Sequence, residues 1–125
     1  MTTILLIAVG ATVGASLRYY LTLWVTGAIG AGFPYATLLI NLSGSFILGS
    51  FLAAMEGNPQ FSANLRLLVA TGFCGSFTTF STLSYDTLAL LDTGRYAAAT
   101  LNGLGSLALG LLAASVGAAC GRALL

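Results

Sequence analysis

Apolar positions along this chain come in four long runs, not in the short alternations of a soluble domain. The runs cover about Thr3 to Trp24, Tyr35 to Met55, Leu65 to Leu91 and Tyr96 to Leu124. A helix needs about 20 residues to cross a bilayer, so each run predicts one crossing. The third and fourth are longer than a crossing requires, which predicts tilt or a break. Three links separate them: Gly27 to Pro34, Glu56-Gly57-Asn58-Pro59-Gln60, and Asp92-Thr93-Gly94-Arg95. All three are rich in turn residues. Links this short make successive helices antiparallel. Residues 1–125 read as a single all-α membrane domain.

One stretch of the third run is poor material for a lipid-facing helix: Gly72-Phe73-Cys74-Gly75-Ser76-Phe77-Thr78-Thr79-Phe80-Ser81-Thr82. It mixes glycines, clustered hydroxyls and phenylalanines. In hydrocarbon, irregular backbone persists only where protein buries it or a wet cavity adjoins it. A break would free backbone carbonyls, and these are good ligands for a small cation. The stretch reads as an ion site or pore element first, and as a packing kink second.

Composition agrees with the runs. Charged residues make up 6% of the chain, against about 25% in a typical soluble domain. A net charge of +1 offers no basic surface for nucleic acid. The absence of histidine excludes histidine metal sites and Ser-His-Asp chemistry. No nucleophile–base pair is visible, so an enzyme is not expected. Cys74 and Cys120 both fall in apolar runs and are expected as free thiols buried among helices. No positive segment precedes the first run, so a cleaved signal peptide is not expected.

Arginine placement bears on orientation. With four crossings, Arg66 and Arg122 lie on one side, and Arg95 lies on the other with Arg18 near the end of the first helix. Two against two gives no bias. Copies of such a chain can insert both ways and pair antiparallel. Four arginines are equally few enough for the balance to be chance. Four short helices enclose little interior, so a transport path calls for a partner subunit.

Several polar residues stand inside the runs. Gly10, Gly14 and Arg18 share a face that is small and then cationic. A mid-membrane arginine costs about 2.5–3.5 kcal/mol on insertion scales. Arg18 reads either as a vestibule charge that attracts an anion or as an interfacial anchor beside Tyr19, Tyr20 and Trp24. Asn41 shares a face with Thr37, Ser45 and Gly49. Its amide reads either as a donor to a passing anion or as a bridge between helices, the commoner use of a membrane asparagine. Asn102, Ser106 and Gly110 form a similar stripe that continues the polar track. Phe73, Phe77 and Phe80 recur at helical spacing among hydroxyls, and the positive edge of such a ring suits a small anion. Thr79, Thr82 and Asp86 form a separate polar face, with Asp86 expected near the membrane exit.

Three motifs together resemble one known family. They are Gly14-Ala15-Ser16-Leu17-Arg18-Tyr19, Thr37-Leu38-Leu39-Ile40-Asn41-Leu42-Ser43-Gly44-Ser45-Phe46, and the stretch Gly72 to Thr82. In order and spacing the chain is similar to the fluoride channel family, the small bacterial fluoride exporters called Fluc or CrcB proteins. The resemblance covers essentially the whole chain. It implies a four-helix subunit with a broken third helix, paired as an antiparallel, dual-topology homodimer with two pores in the bacterial inner membrane. It also implies a central structural sodium ion held by backbone carbonyls matching Gly75 and Thr78. Fluoride would follow a track with Asn41, Phe80 and position 83. Hydroxyls of the third and fourth helices, here Thr79, Ser81, Thr82 and Ser106, would line it together with Asn102. Arg18 matches an arginine near the pore entrance. The implied task is passive release of fluoride from the cytoplasm.

Two positions depart from the family pattern. Leu83 stands where a second pore phenylalanine is expected, and Asn102 where many members carry an aromatic residue. Leucine has no positive ring edge, so that anion site should be weakened. The departures keep open a non-conducting partner subunit of a heterodimeric channel. A second rival is a small dual-topology multidrug exporter. That chemistry needs an intramembrane acid, and no acid precedes Glu56, which lies in a turn. A packing subunit of a larger complex would explain the glycine faces but not the mixture of hydroxyls and phenylalanines.

Overall fold

The structure is a computed structural model that describes residues 1–58 and 60–124. Pro59 of the second link lies outside the described residues. The chain forms four membrane-length helical spans. Helix α1 is Thr2–Ile29 and α2 is Tyr35–Glu56. The third span, Ala63–Asp92, is two helices, α3 over residues 63–77 and α4 over Phe80–Asp92. Helix α5 is Tyr96–Ala123. The break expected in the third run therefore occurs, at Thr78 and Thr79. The fourth run stays continuous, with a π-helical turn at Leu101–Gly105.

Helix ends follow local chemistry. Helix α1 runs through Gly27 and stops at Gly30, whose φ of 92° ends the right-handed path. The first link is thus shorter than the glycine pattern suggests, because Gly27-Ala28-Ile29 continues the helix. Ser62 caps α3 by accepting from the Leu65 N–H at 3.2 Å. Helix α4 ends at Gly94 with φ 73°, where the Arg95 N–H reaches the Leu90 carbonyl and the Gly94 N–H reaches that of Leu91. These paired bonds satisfy carbonyls that the helix end would otherwise leave free.

Two close helix pairs build the bundle. Helix α1 lies on α3 because Gly10 and Gly14 present bare backbone to Leu68, Gly72 and Phe73. The small face leading to Arg18 is therefore a packing face up to Gly14. Ser76 adds a hydroxyl bond to the Ala11 carbonyl at 3.0 Å. Helix α2 lies on α5 in the same manner: Gly49 meets Ala114, Gly117 meets Phe46, and Gly121 meets Ser50. Contacts this close are how membrane helices gain packing without a hydrophobic drive.

Large apolar side chains mostly point outward, among them Leu5, Leu23, Leu107 and Leu111, as expected for helices solvated by lipid. Trp24, Tyr19 and Tyr20 are also exposed near one end of α1. Phe77 is only 2% exposed and stacks on Phe73, with ring centroids 5.4 Å apart. Cys74 is buried as expected, but Cys120 is exposed. Its position on α5 faces away from α2, because Gly117 and Gly121 occupy the contact.

Candidate functional site

Thr78 and Thr79 adopt extended backbone, with φ/ψ of −80°/158° and −150°/114°. Their neighbours need a reason to leave the helix in a membrane, where every backbone polar group wants a partner. The reason is Asn41 on α2. Its Oδ1 accepts from the Thr79 N–H at 2.8 Å, and its Nδ2 donates to the Thr79 carbonyl at 3.1 Å. One side-chain amide thus takes the N–H that the break leaves without a helical partner and adds a bond to the carbonyl of the same residue, which as the N-cap also accepts the first bond of α4. Thr79 then restarts the helix. Its Oγ1 accepts from the Thr82 N–H at 3.2 Å, a side-chain cap on α4.

The same diversion frees two carbonyls. In a continuous helix the Thr79 N–H would bond the Gly75 carbonyl, and the Thr82 N–H would bond the Thr78 carbonyl. Here the first goes to Asn41 and the second to Thr79 Oγ1. Gly75 is exposed, and a side chain there would find only the Ala70 carbonyl, 3.8 Å away. Gly75 and Thr78 therefore offer uncharged oxygens at the broken end of α3.

Two sets of hollows meet at this break. On one side, a groove of about 650 Å³ runs between α2, α4 and α5, with Asn41, Ser45, Phe80, Leu83, Ser106 and Gly110 among its walls. Phe80 is 82% exposed and stands at its lip. Asn41 carries two amide hydrogens, and one is used on Thr79, so a second donor remains for the groove. On the other side, a cavity of about 270 Å³ has Arg18, Thr22, Thr37, Thr79 and Thr82 in its wall. Thr37 and Thr82 also line a larger cavity of about 410 Å³ toward Asp86 and Arg95.

Most of the residues singled out from sequence converge here. Asn41, Thr79, Phe80, Leu83 and Thr82 surround the break, and Arg18 shares a cavity wall with Thr79 and Thr82. Ser81 is exposed, with its hydroxyl 3.3 Å from Thr79 Oγ1. Ser106 joins the groove wall. Asn102 sits behind that wall at 1% exposure, its Nδ2 donating to Thr87 Oγ1 at 3.0 Å. Asp86 accepts from Thr37 Oγ1 at 2.9 Å, which ties α4 to α2.

Sequence reasoning did not single out Thr87 or the loop contact of Arg95. Thr87 is one threonine among many in the third span, and only its contact with α5 marks it. Arg95 donates through Nη1 to the Gly32 carbonyl, joining the first and third links. No local signal could have announced a bond across 63 positions.

The profile described as "CrcB-like protein, Camphor Resistance (CrcB)" matches residues 5–118. A protein of Thermus thermophilus named "Fluoride-specific ion channel FluC" is 50% identical over 121 residues, covering 96% of this chain and 94% of the relative. One of Roseiflexus sp. with the same name is 45% identical over 121 residues, covering 97% and 98%. Another of Chloroflexus aurantiacus is 40% identical over 122 residues, covering 98% and 97%.

Proposed function

The chain belongs to the CrcB-like family, and from that premise we propose that it is a fluoride-selective passive ion channel, its whole length one channel domain. It is a multi-pass protein of the bacterial inner membrane. The carrying observation is the donor set around the break. Asn41 keeps a free amide hydrogen and shares with the exposed ring of Phe80 a groove whose described lining has no charged side chain.

A small anion in such a groove exchanges its water for fixed donors and ring edges. Fluoride is the halide that holds its water most tightly and gains most from short hydrogen bonds. Chloride is larger and fits the same donors poorly. Arg18 draws anions to the cavity on the other side of Thr79, and Thr82, Thr79 and Ser81 carry hydroxyls from there to the break. Ser106 extends the track along α5, with Asn102 behind it. Leu83 gives this track an aliphatic wall where a second ring edge would bind the ion. No acid lies in the groove wall to couple transport to protons, which supports passive flow.

The active unit in this reading is an antiparallel, dual-topology homodimer with two pores. One chain leaves Phe80 exposed and the groove open along one flank, and a second copy would close it. Sodium fits the break chemically. The Gly75 and Thr78 carbonyls have lost their helical donors, and hard cations take oxygen ligands. Two carbonyls are too few for such an ion, so the second copy would supply the others. The ion would supply positive charge that holds four carbonyl dipoles together, and it would stay in place as anions pass.

Fluoride efflux from liposomes holding the purified protein tests the proposal, with a fluoride electrode and a chloride control. Rapid efflux of fluoride alone is expected. Equal efflux of chloride, or no efflux of either ion from the folded protein, would overturn it.

A further inference from the structure

Ser45 stands one helical turn past Asn41 on α2, and its hydroxyl is uncommitted. A serine inside a helix commonly spends its one hydrogen on a carbonyl of the preceding turn. Ser43 does so on Ile40 at 3.0 Å, and Ser50 on Phe46 at 2.9 Å. Ser45 Oγ, between them on the same helix, has no hydrogen-bond partner among the described residues.

Open space lies beside that hydroxyl. Ser45 is half-buried and lines both the groove of about 650 Å³ and an adjoining hollow of about 240 Å³ at the break. Asn41, Phe80 and Leu83 stand in the walls of both. Gly110 of α5 faces Ser45 across the groove. A side-chain carbon at Gly110 would meet only Ser45 Oγ, at 3.9 Å. The bare glycine therefore keeps clear the space that the hydroxyl adjoins.

We propose that Ser45 is a second fixed donor for the anion on α2, touching it through Oγ–H beside the Asn41 amide. The inference rests on the channel reading and adds a contact to it. Residues one turn apart on a helix have Cβ atoms about 5–6 Å apart. Two hydrogen bonds of about 2.7–3.0 Å span such a gap, so one small anion accepts from both groups. Each group has a hydrogen to give: serine its only one, and Asn41 the one not used on Thr79. Neither donor carries a charge, so the ion is held without being trapped.

Fluoride efflux from liposomes tests this on variants of the full chain. Ser45→Ala should slow efflux about tenfold with the melting temperature unchanged. Ser45→Ala combined with Gly110→Ser returns a hydroxyl to the same space from the facing helix, and should regain most of the lost rate. A packing role for Ser45 gives no such recovery. A Ser45→Ala rate equal to wild type would overturn the proposal, and so would a double variant as slow as Ser45→Ala alone. If Ser45→Ala does not fold, Gly110→Ala decides. It fills the space beside an intact hydroxyl without touching backbone, and should slow efflux several-fold; an unchanged rate would again overturn the contact. A wild type that moves no fluoride would sink the channel reading and this contact with it. A conducting wild type with a neutral Ser45→Ala would sink the contact alone.

Discussion

The side-chain amide of Asn41 pairs with both backbone groups of Thr79, accepting its N–H at 2.8 Å and donating to its carbonyl at 3.1 Å. Asparagine thereby imitates a neighbouring peptide and holds a helix open at mid-span. The two readings of Asn41 that sequence leaves open are compatible, since the bridge uses one amide hydrogen and leaves the other for an ion. Asn41→Leu keeps the volume and removes the pairing. It should cost about 1–3 kcal/mol through the orphaned Thr79 groups. Thermal unfolding in detergent reads the loss, and faster amide exchange at Thr79 locates it. Unchanged exchange there would show that the clamp is not what holds the break.

Glycines in the two helix pairs should respond very differently from those outside them. Gly117→Val and Gly14→Val place a side chain against opposing backbone and should destabilise by about 1–3 kcal/mol or more. Gly27→Ala meets nothing within 4 Å and sits inside α1, so it should stabilise by about 0.5–1 kcal/mol. Melting temperatures of the three variants make the comparison. A neutral Gly117→Val would contradict the close α2–α5 approach.

Leu83 faces the groove beside Phe80. Leu83→Phe restores a ring edge there and should raise fluoride efflux, while chloride remains excluded. An unchanged rate would mean that the slow step lies elsewhere along the track.

Arg18 shares a cavity wall with Thr79 and Thr82. If its charge gathers anions, Arg18→Gln should lower fluoride efflux several-fold at low ionic strength. The deficit should shrink as salt rises, because screening length falls from about 30 Å at 0.01 M to about 8 Å at 0.15 M. A deficit independent of salt would make Arg18 an anchor and not an attractor.

Sodium should matter to assembly more than to selectivity. In the proposed sodium-bridged dimer, replacing the ion with a large organic cation should dissociate the two copies and stop efflux, as read by light scattering and the fluoride electrode. A dimer that stays intact and active without sodium would remove the ion from the reading.

The number of spans, the membrane setting and the place of the break are legible in the chain before any folding is considered. These depend on local chemistry: run length, charge density, and glycines and hydroxyls where lipid tolerates neither. The sequence also marks Asn41, Phe80 and Ser106, because polar or aromatic groups in the middle of an apolar run are conspicuous. Only the packing of the helices shows what the marked residues touch. Gly10 and Gly14 turned out to seat α1 on α3, Cys120 to face outward, and Asn102 to bond Thr87 from behind the groove wall. The broken backbone at Thr79 is held by a residue 38 positions away. Hydrogen bonds are short and directional, so which donor meets which acceptor depends on how helices rotate against one another. That rotation is set by the bare backbone of facing glycines, and no single helix contains it.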